Sequence, residues 1–405
     1  MDLLSQKFAK LGTADAPGQE VRLHISEAAL SLRGDKIHDR RVDFSHGDVD
    51  AFTPVPAALD EFLEGFRAGG AQAYTEYLGS ADIRSALAGR LAAFTGVSTL
   101  GADNLIITNG TQGALFLAVA SMVARGTKVA VIQPDYFANR KLVEFMEGEV
   151  VPIDLAYFGN GSGAGLDLQQ LEDAFKVGVK VMLFSNPNNP IGAVYSAEEV
   201  NGIARLATQY GITIIADQLY SRLLYSGEVY HHLSAEDIDP NQVLTLMGPS
   251  KTESLSGFRL GVAFGAPHIV ERMEKLQAIV SLRAAGYNQA ALRTWFAEPE
   301  GWIEQRIALH QAIRDGIVQR FAAARGVRIR TPQGGSYVFP RLPELTVPLG
   351  DFVHILRLQA NVIVASGNQF GTRSGDSIRL NFSQDHDAAL AAVDRIVEML
   401  DRYRR

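Results

Sequence analysis

The sequence predicts an α/β protein, with a mostly parallel seven-stranded sheet between helices in a large domain and a smaller α+β domain from both termini. Three observations lead to this prediction. From about residue 80, short β-branched runs alternate with segments of helical periodicity. These runs are apolar throughout, which is typical of strands covered on both faces. After about residue 265 the strict alternation stops, which indicates the second domain.

The large domain contains the strands of the predicted sheet. They lie at 104–110, 128–134, 149–155, 179–187, 212–218, 243–248 and 259–265. Helices are predicted over 80–95, 112–124 and 196–210. The first of these ends at Gly96, and the last begins with Ser196 and Glu199, which fit a capping box.

After about residue 265 the chain combines long helices with short strands. Helices are predicted over 267–282, 300–324 and the terminal stretch 385–405, and strands over 327–339, 361–365 and 377–383. No Pro- or Ser-rich linker separates the two parts, so we expect one tightly joined unit. The expected boundaries are 46–295 for the large domain and 1–45 with 296–405 for the small domain.

Composition excludes several classes of function. The 405-residue chain has a net charge of -7 and a pI near 5.8, which argue against a nucleic-acid partner. It contains no cysteine, which excludes disulfides, zinc–thiolate sites and thiol nucleophiles. No signal-peptide pattern and no membrane-spanning apolar run are visible, so we expect a cytoplasmic protein without a membrane partner. No cluster of side chains has metal-ligand spacing, and no metal is predicted.

Polar and aromatic residues follow five predicted strands, at the end where open parallel sheets bind ligands. The loops begin with Asn109-Gly110-Thr111-Gln112, Pro134-Asp135-Tyr136, Asn186 to Gly192, Asp217-Gln218-Leu219-Tyr220 and Gly248-Pro249-Ser250-Lys251. Taken singly, each is typical of a turn or a helix N-cap. Together they supply an anion-binding helix terminus, an aromatic ring, a carboxylate, amide and hydroxyl donors, and an amine.

This set of groups matches the needs of pyridoxal 5'-phosphate (PLP). The amine of Lys251 can form a Schiff base with an aldehyde. The carboxylate of Asp217 can keep a pyridine nitrogen protonated. A helix N-terminus together with Arg259 can bind a phosphate, and an aromatic ring such as that of Tyr136 can stack on a flat ring.

Three motifs carry a resemblance to a known family. SNPNNPIG, ADQLY and SKTESLSGFRLG place Asn189 28 residues before Asp217, Asp217 34 before Lys251, and Lys251 eight before Arg259. In this combination the chain resembles fold-type I PLP enzymes, specifically the class I/II aminotransferases of the aspartate aminotransferase superfamily. The resemblance runs from about Gly47 to Arg379 and implies transfer of an amino group from an L-amino acid to a 2-oxo acid.

The resemblance implies a role for each cofactor-binding residue. Lys251 would form the Schiff base and move the proton, and Asp217 would pair with the pyridine nitrogen. Asn189 and Tyr220 would hydrogen-bond the phenolic oxygen, with Tyr220 counted among the catalytic residues. The pyridine ring of PLP would stack on the side chain of Tyr136. The residues expected to hold the phosphate are Gly110, Thr111, Gln112 and Arg259.

The resemblance also implies substrate contacts and a homodimer. Arg379 would bind the substrate α-carboxylate, with Gly47 and Asn189 beside the substrate. Tyr74 would reach the phosphate of the neighbouring subunit. Arg283 has two readings: an arginine that pairs with an acidic substrate side chain across the dimer, or a helix-terminal arginine that faces solvent or a partner acid.

The sequence differs from the usual family pattern at two positions, and two other functions stay open. Many relatives carry serine where this chain has Gly248, and Asp-Glu where it has Asp217-Gln218. A PLP-dependent lyase, cyclase or oxidase would keep the same residues. A regulator with a PLP-type effector domain would need a winged-helix module before Gly47, where about 45 residues show no such pattern.

Overall fold

The predicted strands form one seven-stranded sheet in the computed structural model of the protein. The structure describes residues 2–13, 16–18, 20, 30–97, 99–159 and 163–405. In chain order its strands are β1 (Val42–Asp43), β2 (Leu105–Asn109), β3 (Lys128–Gln133), β4 (Glu149–Asp154), β5 (Val181–Ser185), β6 (Thr213–Asp217), β7 (Val243–Met247), β8 (Leu260–Gly265), β9 (Tyr337–Val338), β10 (Val362–Ile363), β11 (Ala365–Ser366) and β12 (Ile378–Asn381).

The order of the large sheet is β2-β8-β7-β6-β5-β3-β4. All neighbours are parallel except β8, which runs antiparallel to both β2 and β7. The carboxyl ends of β2, β3, β5, β6 and β7 therefore meet at one edge. The prediction of a mostly parallel sheet is confirmed.

Helices cover both faces of this sheet. The helices of the chain are α1 (Leu3–Ala9), α2 (Ala57–Arg67), α3 (Gly70–Ala73), α4 (Ala81–Thr95), α5 (Gly110–Met122), α6 (Phe137–Phe145), α7 (Leu168–Lys176), α8 (Ala197–Tyr210), α9 (Pro267–Val280), α10 (Gly286–Gln289), α11 (Trp302–Ala323), α12 (Leu349–Ala360) and α13 (His386–Tyr403). Successive strand residues enter opposite cores: Phe184 packs in the cluster with α7 and α8, and Leu183 in the cluster with α5 and α9. Burial on both sides explains the uniformly apolar strands.

A separate core joins the start of the chain to its last third. Phe44 packs with residues of α11, α12, α13 and β12, among them Ile317, Phe352, Ile396 and Leu380. β1 pairs with β10 in parallel, and β9, β12 and β11 form a small antiparallel sheet. This core agrees with a small part built from both ends of the chain, while the boundaries at 46 and 296 stay predictions.

The segment 327–339 differs from its prediction as one strand. Only Tyr337–Val338 forms a regular strand, because the preceding backbone bonds to loops of the large sheet instead. Gln333 donates its N–H to the carbonyl of Gly192 at 2.7 Å, and Gly335 donates to Leu223 at 2.8 Å. The predicted strand 361–365 likewise divides into β10 and β11, which pair with different partners.

No helix in the described part of the chain is long and apolar enough to cross a membrane.

The capping box predicted at the start of α8 is present and extends to a second loop. The Ser196 hydroxyl accepts the N–H of Glu199 at 3.2 Å, and the Glu199 carboxylate accepts the N–H of Ser196 at 2.7 Å. The same buried carboxylate accepts three more N–H groups, from Ala164, Gly165 and Leu166, at 2.8–2.9 Å. One side chain therefore fixes both the helix start and the loop after β4.

Glu199→Ala should destabilise the protein by about 2–3 kcal/mol, because buried N–H groups would lose a charged acceptor. Guanidinium unfolding followed by circular dichroism measures this change. Glu198→Ala, an exposed neighbour in the same helical turn, is the matched control and should change stability by less than about 0.5 kcal/mol. Equal unfolding midpoints for the two variants would contradict the assignment.

Candidate active site

The loops at the carboxyl edge of the sheet enclose a cavity of about 250 Å³. Nine of the residues predicted for a site line it: Thr111, Gln112, Tyr136, Asn189, Asp217, Tyr220, Lys251, Arg259 and Arg379. They come from loops after β2, β3, β5, β6 and β7, and from β12 of the small sheet. The structure therefore brings together groups that are far apart in the sequence.

The anion-binding part of the cavity lies at the N-terminus of α5. Gly110 begins this helix with φ +76, and a Cβ there would lie 2.5 Å from Nη2 of Arg259. Arg259 itself has φ +54, the left-handed region that side chains rarely adopt. Its Nη1 donates to the carbonyl of Ser256 at 3.0 Å. Free helix N–H groups and a guanidinium thus meet at one point, as a phosphate site requires.

The position of Gly248 explains its departure from the serine of many relatives. A Cβ at this residue would lie 2.6 Å from the hydroxyl oxygen of Thr111 and 3.1 Å from the carbonyl of Leu260. The backbone of β7 can approach α5 this closely only without a side chain. Ser250 lines the cavity, and its hydroxyl donates to the Leu260 carbonyl at 3.3 Å.

Asp217 ends β6 as a buried carboxylate. Burial raises its pKa to about 6, although its carboxylate accepts the N–H of Leu219 at 3.0 Å. The following residue, Gln218, lies with its amide oxygen 2.9 Å from Nδ1 of His232. Burial lowers the pKa of His232 to about 4, so this ring is neutral at pH 7. Gln218 and His232 therefore form a neutral pair next to Asp217.

The loop that carries Lys251 is held by a buried ion network that the sequence reading missed. Arg222 pairs with Glu253 and, at 2.7 Å, with Glu298. Burial raises the pKa of Glu253 to about 7, against the lowering effect of Arg222. The network links the loop after β6 to the loop after β7, so it sets the spacing of Asp217 and Lys251.

Arg379 lies on β12 and is 3% exposed. Its Nη1 donates to the side-chain oxygen of Asn189 at 3.1 Å, and its Nη2 to the carbonyl of Ser45 at 3.2 Å. The rings of Tyr337 and Phe370 lie 4.3 and 4.6 Å from its guanidinium carbon. Its Nε has no hydrogen-bond partner among the described residues.

Hydrogen bonds hold both the hydroxyl and the backbone of Tyr136. Its hydroxyl donates to the side-chain oxygen of Gln112 at 2.9 Å, and its N–H donates to Asp135 at 2.6 Å. The Asp135 carboxyl also accepts the N–H of Ser185 at 2.9 Å and its hydroxyl. Burial raises the pKa of Asp135 to about 8. Asp135 and Ser185 are supporting residues: the sequence placed Asp135 in a turn and Ser185 at the end of a strand, with no role for either.

Tyr337 and His46 are among the lining residues that the sequence analysis did not single out. Tyr337 is hydrogen-bonded to Tyr220, with their hydroxyl oxygens 2.8 Å apart. His46 lies at the mouth with its Nε2 3.5 Å from Asp43, and the hydrogen bond to this carboxylate raises the pKa of His46 to about 9. Tyr337 could be placed only through the register of β9 and β12, which the sequence does not reveal.

Gly47, Tyr74 and Arg283 do not line this cavity within one chain. Gly47 borders a neighbouring depression together with His46. Tyr74 is 81% exposed. The guanidinium carbon of Arg283 lies 5.5 Å from the Tyr74 ring and 5.6 Å from the Tyr77 ring. The two residues predicted to act across a dimer therefore form one surface group.

Comparisons with known proteins identify the family of the chain. The profile of the aminotransferase class I and II family matches residues 40–396. An aspartate aminotransferase of Sulfolobus acidocaldarius is 26% identical over 387 residues, which cover 94% of each chain.

Solved structures extend the comparison to the fold. A crystal structure of an aspartate aminotransferase from Rhodobacter sphaeroides is 61% identical, with a TM-score of 0.94, and covers 99% of this chain and 100% of that one. An aromatic aminotransferase from Pyrococcus horikoshii shares the fold at 20% identity, with a TM-score of 0.82 and coverage of 89% and 96%. The chain therefore belongs to the class I and II aminotransferases, the fold-type I family of PLP-dependent transaminases, and is itself an aminotransferase.

Proposed function

We propose that the cavity holds PLP and that the enzyme there moves an amino group from an L-amino acid to a 2-oxo acid in two alternating half-reactions. The observation that carries this proposal is the convergence of an amine, a buried carboxylate and a buried guanidinium on one cavity: Lys251, Asp217 and Arg379. When bound, PLP supplies an electron sink for the carbanion that forms at the substrate α-carbon.

The residues present fit this cofactor. The close approach of Gly110 and Arg259 leaves a cradle for a phosphate. Asp217 is a buried carboxylate with a raised pKa, so a cationic ring nitrogen would stabilise its charged form. Tyr136 offers an aromatic ring, and hydrogen bonds hold its hydroxyl and its backbone. Asn189 and Tyr220 place an amide and a hydroxyl on the opposite wall, suited to the phenolic oxygen.

Lys251 is proposed to hold the cofactor covalently and then to move a proton at the substrate α-carbon. A primary amine can act as general base once it is neutral. Thr111 and Gln112 complete the proposed phosphate contacts from the first turn of α5.

Arg379 is proposed to bind the substrate α-carboxylate. Among the described residues its Nε has no hydrogen-bond partner and its guanidinium forms no ion pair, and both features favour an anion. The neighbouring Asn189 oxygen, at 3.1 Å, fixes the plane of the guanidinium. Gly47 is proposed to lie beside the substrate, and a Cβ there would lie 3.3 Å from the side chain of Ser383, a contact that favours glycine at this position.

We further propose a cytoplasmic homodimer in which Tyr74 and Arg283 serve the partner's cavity. Tyr74 would contact the phosphate and Arg283 an acidic substrate side chain. Exposed apolar residues precede Arg283 in the chain, namely Ile279, Val280 and Leu282, and their burial against a second copy would favour association. The relatives named aspartate aminotransferases motivate the choice of an acidic donor.

Lys251→Ala should abolish covalent attachment of PLP and lower turnover by at least about 100-fold, because the amine and the base are lost together. Borohydride treatment of the PLP-loaded protein, followed by peptide mass spectrometry, should place the fixed cofactor on Lys251. Lys275→Ala, at an exposed lysine of α9, is the control and should behave as wild type. Borohydride-fixed PLP on another lysine would refute the assignment.

Hybrid dimers test the shared site. Mixed Lys251→Ala and Tyr74→Ala subunits should recover activity, up to about a quarter of the wild-type value for random pairing in a two-fold dimer. Each hybrid would contain one site with both native residues. Subunit exchange is verified by native mass spectrometry, and Tyr74→Ala must itself be strongly impaired. Exchange without recovery would count against a contribution of Tyr74 across the interface.

Arg283→Ala should lower kcat/KM for aspartate or glutamate by tens- to thousands-fold, since a desolvated ion pair contributes about 2–5 kcal/mol. Neutral donors should change little. Arg272→Ala, at an exposed arginine of α9, is the matched control. An equal loss for every donor, or a wild-type preference for neutral donors, would remove Arg283 as the selector.

A further inference from the structure

Asp135 is a buried carboxylate beside the cavity that accepts three hydrogen bonds. It follows β3 and is 2% exposed. It accepts the N–H of Tyr136 at 2.6 Å and the N–H of Ser185 at 2.9 Å, and the hydroxyl of Ser185 donates to it as well. One carboxylate therefore joins the loop that carries the proposed stacking ring to the end of β5.

The hydroxyl of Ser185 extends this chain of hydrogen bonds to the cavity. Ser185 is the last residue of β5, is buried and lines the cavity. Its oxygen accepts the N–H of Asn189 at 3.1 Å. A serine hydroxyl has one proton and two lone pairs, so it can donate to Asp135 while it accepts from Asn189. The backbone position of Asn189 therefore depends on Ser185, and through it on Asp135.

The side chain of Asn189 has two faces that matter for the site. A guanidinium carries only donors, so the bond from Nη1 of Arg379, at 3.1 Å, identifies the amide oxygen as the atom that faces it. The NH2 group of the same amide can then donate to the phenolic oxygen of PLP. A shift of the Asn189 backbone would therefore alter both contacts together.

Ser185 also lies level with the proposed partner of the pyridine nitrogen. It is opposite Asp217 in the register of β5 and β6. The next residue, Asn186, donates its N–H to the carbonyl of Asp217 at 2.9 Å. Since β5 lies between β3 and β6 in the sheet, these hydrogen bonds connect three neighbouring strand ends.

We propose that Asp135 and Ser185 are positioning residues. Through one chain of hydrogen bonds they hold the backbone of Tyr136 and that of Asn189 in a fixed relation. They thereby place the Asn189 amide between the phenolic oxygen of PLP and Arg379. This inference rests on the proposed function, because it assigns a role toward that cofactor.

The test measures both contacts of Asn189 in the PLP-loaded protein. A donor to the phenolic oxygen stabilises its negative charge and lowers the pH at which the bound cofactor loses its proton. Ser185→Ala should raise the midpoint of this absorbance titration by about 0.5–1 unit, the effect of one hydrogen bond. It should also weaken the binding of succinate, an unreactive dicarboxylate, by about 3–10-fold, because Arg379 loses a fixed neighbour.

A double variant shows whether the effect passes through Asn189. Asn189→Ala removes the amide, so adding Ser185→Ala to it should shift neither the midpoint nor the succinate affinity further. Independent, additive shifts would overturn the inference. A shift of only one of the two quantities in Ser185→Ala, or of neither, would overturn it as well.

The control removes a buried hydroxyl from a neighbouring strand. Thr245 lies on β7, is 1% exposed, and its hydroxyl has no hydrogen-bond partner in the described part of the chain. Thr245→Val should therefore leave the midpoint and the succinate affinity at their wild-type values. Shifts in Thr245→Val as large as those in Ser185→Ala would indicate a general effect of strand packing and overturn the inference.

A second variant keeps the test decisive if Ser185→Ala does not fold. Asp135→Asn replaces one acceptor oxygen with an NH2 group that cannot accept the hydrogen bonds of Tyr136 and Ser185, so both quantities should change in the same sense as in Ser185→Ala. Wild-type values in Asp135→Asn would overturn the inference. If Asn189→Ala shifts the midpoint but Ser185→Ala and Asp135→Asn do not, the proposed function stands and this inference alone fails. A wild-type protein that gives no PLP absorbance at all would overturn both.

Discussion

Arg379, a buried guanidinium that forms no ion pair with the described residues, is the constraint on which the site depends. Burying a charge is costly unless hydrogen bonds or an opposite charge compensate it. Arg379 donates hydrogen bonds to two neutral acceptors, the side chain of Asn189 and the carbonyl of Ser45. Its guanidinium also packs against the rings of Tyr337 and Phe370. These contacts hold the charge in place without neutralising it, so the site retains a strong preference for an anion.

The contacts of Arg379 come from both parts of the fold, so the site exists only when these parts are packed together. Backbone bonds from Gln333 to Gly192 and from Gly335 to Leu223 fasten the approach to β9 onto loops of the large sheet. Beside these backbone bonds, the hydrogen bond between Tyr220 and Tyr337 also joins a loop of the large sheet to β9. A change in the packing of the two parts would therefore alter the carboxylate site and the wall beside the cofactor at once.

The sequence predicted best the elements whose apolar pattern follows directly from burial on both faces of the sheet. Strands such as β5 and β7 are covered on both faces, so all their residues are buried and most are apolar, and their positions agree with the prediction within two residues. The prediction failed at 327–339, where the chain alternates suitably but its N–H groups bond to distant loops. Local sequence cannot reveal that competition, because the acceptors lie in other segments.

The sequence alone determined the α/β sheet, the loops at its carboxyl edge and most residues of the cavity, because these follow from apolar runs and from motifs that end them. Tertiary structure decided which residues support them. The position of Tyr337 follows from the register of β9 and β12, and the ion network of Arg222 follows from the packing of three separated segments. Such contacts depend on geometry between elements, which no local periodicity encodes.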